Sequence, residues 1–156
     1  MKECKTCAMV AQRDEGTAPL WDNIYRSDYW DVVHSYNTSI AGWIVLVPQR
    51  HCQAVADLST EEAVECGLLL QRVSLAMAEV TGCVKTYVMQ FAEHSLHLHV
   101  HFHVVPHMAD QPPEKRSYRV LNFTGLPEEE RVSEAEMNEI AARMREILSV
   151  QKHESP

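Results

Sequence analysis

Between His97 and Val104 the chain alternates histidine with a large apolar residue for four cycles, His97-Leu98-His99-Val100-His101-Phe102-His103-Val104. Side chains on a strand point to opposite faces with a period of two. The segment therefore reads as a strand, His97 to Val105, with four imidazoles on one face and Leu98, Val100, Phe102 and Val104 on the other. The apolar face must bury against a helix, and the histidine face must look at something polar. His94, His97, His99, His101, His103 and His107 all fall within fourteen residues, out of 9 histidines in the chain. A lone strand histidine is ordinarily structural, its tip bonded to backbone, but four in register are too many for a core to satisfy. Their mutual repulsion penalises protonation, so neutral rings are expected at pH 7. A neutral imidazole is both a nucleophile and a metal ligand.

The rest of the chain supplies partners for that strand. At 156 residues, 46% hydrophobic and 23% charged, it has ordinary globular composition and the length of one domain, 1–156. Trp21 to Ser35 reads as a hairpin turning at Ser27-Asp28. Trp43 to Val47, closed by Pro48, is a continuous apolar run typical of a central strand covered on both faces. Ser59-x-x-Glu62 is a capping box that starts a helix running to about Val80, with Gly82 placed for the left-handed cap. Lys85 to Phe91 reads as a strand, and Pro112 to Pro127 as a long loop. A second capping box, Ser133-x-x-Glu136, opens a C-terminal helix over 133–150 with Met137, Ile140, Ala141, Met144, Ile147 and Leu148 on one stripe. The expected class is α+β, with an antiparallel sheet of about five strands and two main helices packed on one face.

Charge narrows the partners. The formal net charge of −8 opposes binding to a nucleic-acid polymer or an anionic membrane. A site for an anion must create its own local positive field. The apolar run from Trp43 to Val47 is too short to span a bilayer, and the opening MKECKTCAMV carries charges where an export signal would be apolar. A cytoplasmic location is expected. In a reducing compartment 5 cysteines are thiols rather than a disulfide framework; Cys52, Cys66 and Cys83 read as small buried hydrophobes, whereas Cys4-x-x-Cys7 has metal-ligand spacing.

The stretch His99-Val-His-Phe-His-Val-Val-Pro106 resembles the motif His-φ-His-φ-His-φ-φ, with φ apolar, that defines the histidine-triad (HIT) superfamily of nucleotide hydrolases and nucleotidyl transferases. Gly42 to Pro48 followed by Arg50-His51 is similar to that superfamily's Gly-His-φ-Leu-Val-φ-Pro strand and its basic continuation. Tyr87 to Gln90 fits the strand before the motif. The resemblance implies a HIT-like fold that pairs as a two-fold homodimer, with the 43–47 strand and the 59–80 helix at the interface. It implies a catalytic set of His99, His101 and His103. In that set His101 attacks the α-phosphorus of an adenine-type nucleotide, a dinucleoside polyphosphate or nucleoside phosphoramidate, to form a nucleotidyl-histidine, and His103 bonds phosphate or leaving-group oxygens. Gln90, Ser95 and Asn37 would be substrate contacts. The chain departs from the pattern in four places. His107 follows Pro106 where a basic residue is usual, and Glu93-His94-Ser95 replaces a glycine-glutamine element. Trp43 stands where many members carry histidine, and Ser35 stands at the ribose-binding position with Asn37 close by.

By the same resemblance, Cys4, Cys7, His51 and His99 form a tetrahedral set for structural zinc within a knuckle-like N-terminal segment, 1–20, with His94 or His97 as alternative fourth ligands. Zinc would pin the N-terminus to the histidine strand and set the tautomer of its imidazole ligand. Other functional classes consistent with these residues are a zinc-handling module, a nucleotide-binding module without turnover, and a phosphorylase in which inorganic phosphate replaces water.

Overall fold

Residues 4–153 are described by a computed structural model. In chain order the elements are α1 (Lys5–Asp14), β1 (Tyr25–Arg26), β2 (Trp30–His34), β3 (Ile44–Pro48), α2 (Thr60–Thr81), β4 (Lys85–Gln90), β5 (Phe102–His107) and α3 (Glu134–His153). The strands form one antiparallel sheet in the order β1-β2-β3-β5-β4. The capping box of α2 is formed in both directions, since Ser59 Oγ accepts from Glu62 N–H and the Glu62 carboxylate accepts from Ser59 N–H. Gly82 ends the helix at φ +74°. At α3, Ser133 Oγ accepts from Glu136 N–H. The hairpin turns at Ser27-Asp28 as expected, and the Glu65 carboxylate of α2 fastens it by accepting from Ser27 Oγ and Tyr29 N–H.

Period-two alternation sorts the side chains of the central strands into two layers. Val32, Ile44, Leu46 and Val104 face α2 and α3, where Leu69, Val73, Met77, Met144 and Leu148 complete the larger core. Val33, Val45, Val47 and Val105 face the other way, against Trp43, Val10 of α1 and Val120 of the 112–127 loop. Each fully buried valine or isoleucine contributes roughly 1.5–3 kcal/mol by leaving water. Every residue of β3 is buried, as its apolar run predicts. The second layer corrects the expectation of helices on one face only. Residues 5–14 form a helix, not a knuckle, and it covers the opposite side of the sheet. The 112–127 segment is not a plain loop, because short 3-10 turns fill Pro113–Lys115 and Ser117–Phe123.

Two further expectations change. The histidine strand begins at Phe102, not His97. Register explains this: Leu46 pairs with Phe102, so Val100 would lie opposite Pro48, which has no N–H to donate. Val100 N–H bonds instead to Cys52 O at 2.8 Å. Outside the ladder strict alternation lapses, and Leu98, expected in the core, is 40% exposed. Second, the 43–47 strand cannot join a neighbouring sheet, because β2 and β5 flank it; the free edges are β1 and β4.

Candidate functional site

On the α1 side of the sheet lies a cavity of about 320 Å³ lined by His97, His101 and His103 at one end and by Asn37, Thr124 and Gly125 elsewhere. No Asp or Glu is among its described lining residues, although the chain carries −8 overall. Lys5 and Arg13 reach it from α1. Arg13 is buried and its charge is consumed by Asp22 at 2.8 Å and Asp31 at 3.1 Å. Lys5 makes no ion pair among the described residues; its Nζ donates to the Tyr36 hydroxyl at 3.1 Å and lies 4.5 Å from that ring's centroid. The site is thus an acid-free, histidine-rich hollow in an acidic protein, with Lys5 as the cation left to meet an anion.

Partners that can act in only one direction fix the protons of its histidines. A carbonyl oxygen only accepts, so His101 Nδ1, 2.8 Å from His99 O, carries the hydrogen and leaves the Nε2 lone pair free. An indole N–H only donates, so His103 Nδ1, 3.0 Å from Trp43 Nε1, is an acceptor and the neutral ring carries its hydrogen on Nε2. The two rings meet edge to face with centroids 4.8 Å apart. Burial, with the neighbouring His101, pulls His103 down to about 3, and burial pulls His34 down to about 4. His34 Nδ1–H donates to Ser35 O and its Nε2 accepts from Gly42 N–H, so it latches the β2–β3 connection beside the cavity. His97 joins Thr6 Oγ1 at 2.8 Å through Nδ1 and lies within 3.4 Å of the Tyr36 hydroxyl through Nε2.

The expected substrate contacts divide. Asn37 lines the cavity, and its Oδ1 accepts from Ser35 Oγ and Thr124 Oγ1, which leaves the amide nitrogen as its donor toward a ligand. Gln90 does not line it. In the ladder Gln90 pairs with Phe102 and Met89 with His103, so Gln90 lies on the α2 face of the sheet, opposite the cavity. Ser95 is exposed on a turn and does not line the cavity either; its neighbours His94 and Leu96 do. Lys5, Thr6, Arg13, His34 and Tyr36 were not singled out from the sequence. For Thr6 and Arg13 the signal was available only as an amphipathic spacing, Thr6, Met9, Val10 and Arg13, within a segment read as a knuckle.

His99 leaves the other histidines. It is fully buried and turned toward the N-terminus, where Cys4 Sγ lies 3.8 Å and Cys7 Sγ 3.5 Å from its Nδ1. Cys7 Sγ is also 3.2 Å from His51 Nδ1. All four donor atoms fall within 4.8 Å of one another. A tetrahedral zinc at ordinary bond lengths separates sulfur and nitrogen ligands by about 3.5 Å, so this donor set fits the ion. Nε2–H of His99 donates to Pro48 O at 2.9 Å, which reserves Nδ1 for a metal. Among the alternatives it is His99 that meets the thiols, while His97 is engaged by Thr6.

No protein-family sequence model matches the chain, and no curated protein does. Solved structures do match. A Zn-bound histidine triad family protein from Mycobacterium smegmatis is 19% identical over 97% of each chain with a TM-score of 0.66. A hypothetical histidine triad nucleotide-binding protein from Sulfolobus tokodaii is 12% identical over 94% of each chain with a TM-score of 0.70. A hypothetical protein from Leishmania major is 23% identical over 96% of each chain with a TM-score of 0.58. These likenesses extend over nearly the whole length of each chain: this chain has the fold of the histidine-triad proteins.

Proposed function

We propose that the cavity binds a nucleotide and that His101 transfers its nucleotidyl group, making the chain a nucleotide hydrolase or nucleotidyl transferase. The observation that carries this is the His101–His99 hydrogen bond, which commits the Nδ1 hydrogen to a backbone carbonyl, so that in the neutral ring the Nε2 lone pair is the free one, on a side chain that lines an acid-free cavity. The Nε2 lone pair forms an N–P bond to the α-phosphorus while the bond to the leaving atom, oxygen in a phosphoanhydride or nitrogen in a phosphoramidate, breaks; that atom keeps the electron pair and takes a proton from solvent. Water then attacks phosphorus and gives up a proton to solvent, the N–P bond breaks with its electron pair returning to nitrogen, and the monophosphate departs from a regenerated neutral imidazole. One hard displacement becomes two easier ones. His103 Nε2–H bonds a non-bridging phosphate oxygen, a contact worth roughly 10²–10³-fold in rate when it strengthens in the transition state. Asn37 and Ser35 face the sugar, and Lys5 supplies charge. Dinucleoside polyphosphates and nucleoside phosphoramidates of adenine are the substrate classes that fit, with water or inorganic phosphate as acceptor.

Cys4, Cys7, His51 and His99 would hold zinc in the same proposal. Bound there, zinc supplies a structural cross-link between the start of α1 and the segment preceding β5.

The test is a panel of adenine nucleotides scored for release of the monophosphate, with and without inorganic phosphate, together with mass spectrometry of quenched reactions. A nucleotidyl adduct on His101 is expected. The variant His101→Ala should lose at least a hundredfold in turnover and still bind nucleotide within a few-fold of the parent chain. Undiminished turnover in that variant removes the proposal.

A further inference from the structure

We infer that Trp43 is a positioning residue of this site: its indole N–H holds His103 in the single tautomer that turns Nε2–H toward the cavity, and makes His103 a hydrogen-bond donor that never acts as an imidazolium acid. The inference rests on the proposed nucleotidyl transfer for its catalytic consequence, but its geometry stands apart from it. Val45 pairs with His103 across β3 and β5, and Trp43, two residues before Val45, falls on the same face. The indole is fully buried, its backbone tied by Ser35 N–H to Trp43 O at 2.8 Å, so the ring is not free to turn away. It stands nearly perpendicular to His103, at 89° with centroids 5.6 Å apart, and aims Nε1–H at Nδ1 over 3.0 Å.

Direction is what tryptophan adds. A histidine at position 43 would also place a ring nitrogen there, because the five-membered rings of indole and imidazole extend from Cβ in the same way. That nitrogen can accept as well as donate, so either tautomer of His103 would be satisfied. Indole cannot accept. A second proton on His103 would set N–H against N–H and break the bond. The other titratable or charged groups at the cavity reinforce this: His101 and His97 from the same segment, His94 before it, His34 from β2, Lys5 and Arg13 from α1. None is an acid that would stabilise an imidazolium, and burial already depresses protonation of this ring. The proton taken up by the leaving atom therefore does not come from His103.

Two-bond proton–nitrogen correlation spectra of the full chain, labelled at histidine and recorded from pH 5 to 8, read the tautomer without any substrate. His103 is expected to show protonated Nε2 and unprotonated Nδ1 throughout. In Trp43→Phe the pattern should become a mixture of tautomers, with kcat down about tenfold and KM within twofold of the parent. Trp43→His should recover part of kcat at the alkaline end, where a neutral imidazole can donate. Protonated Nδ1 in the parent chain, titration of its His103 between pH 5 and 8, or an unchanged pattern in Trp43→Phe would overturn the inference. Should the phenylalanine variant fail to fold, the parent spectra alone decide. An intact lock, released in Trp43→Phe, in a chain that turns over no nucleotide would sustain the inference and sink the functional proposal instead.

Discussion

A carbonyl oxygen accepts and never donates, and this fixes the protons of His34, His99 and His101 as firmly as indole fixes that of His103. The rule has a consequence for stability at His34. Its folded pKa of about 4 lies below the ordinary 6.5, so between those values the unfolded chain binds a proton that the native chain refuses. Stability from this residue is complete above pH 6.5 and declines as pH falls toward 4, by about 2 kcal/mol at pH 5. His34→Gln should reduce the difference between urea unfolding free energies at pH 7 and pH 5 by about that amount; an unaltered difference contradicts the assignment. Arg13 gives a second prediction. Arg13→Met leaves the buried Asp22 without a cation while Asp31 keeps Arg26, and should cost roughly 3–5 kcal/mol in the same unfolding experiment. Cys4 and Cys7 stood out by their spacing and His101 and His103 by the alternation, whereas His51 and His99 entered the metal set only through the family resemblance. Gln90 was misread because sequence proximity says nothing about which face a neighbouring strand presents, and Arg13 was missed because both its acids lie in elements that only the fold brings together.

At the scale of elements, helix α1 carries two kinds of residue on adjacent positions. Cys4 and Cys7 meet His51 and His99, while Lys5 and Thr6 between them meet Tyr36 and His97 at the cavity wall. Lys5 N–H also donates to Leu96 O at 2.9 Å, stitching the helix start to the turn before the histidine segment. A metal in the cluster and a ligand in the cavity therefore both favour the docked helix, and binding of either should strengthen binding of the other. Removal of the metal by a chelator should increase amide exchange across residues 5–14 and weaken nucleotide binding by about fivefold or more. Exchange in α1 indifferent to chelation would count against the coupling. The sequence announced α2 and α3 through their capping boxes, because caps are local chemistry. It overextended the histidine strand by five residues because the obstacle, Pro48, sits on a different strand and becomes relevant only through register. α1 was hidden by its cysteines, whose spacing suits a metal loop and a helix N-terminus equally well.

For the whole molecule, the question is what covers its remaining apolar surface. Strand β4 ends the sheet, and its Thr86 hydroxyl meets Ser74 of α2 at 2.8 Å, so by alternation Val88 lies on the same α2 side. Val88 is 47% exposed, and on α2 itself Val64, Leu68 and Leu75 are each more than half exposed at helical spacing. An unpaired strand edge beside an apolar helix stripe is a surface that a second copy of the chain can cover by extending the sheet. For the dimer expected from the sequence, this surface is the one available. Helix α2 stays on this surface, whereas β3 is fully buried and β4 offers the free strand edge. No helix among the described residues is long and apolar enough to cross a membrane. The chain is expected to sediment as a dimer at micromolar concentration, and the double variant Val88→Lys, Leu68→Glu as a monomer with an unchanged circular dichroism spectrum. The cavity faces the other side of the sheet, so the monomer should keep its affinity for nucleotide within a few-fold. A parent chain that sediments as a monomer over that range, or a double variant that remains dimeric, would place the contact elsewhere or remove it.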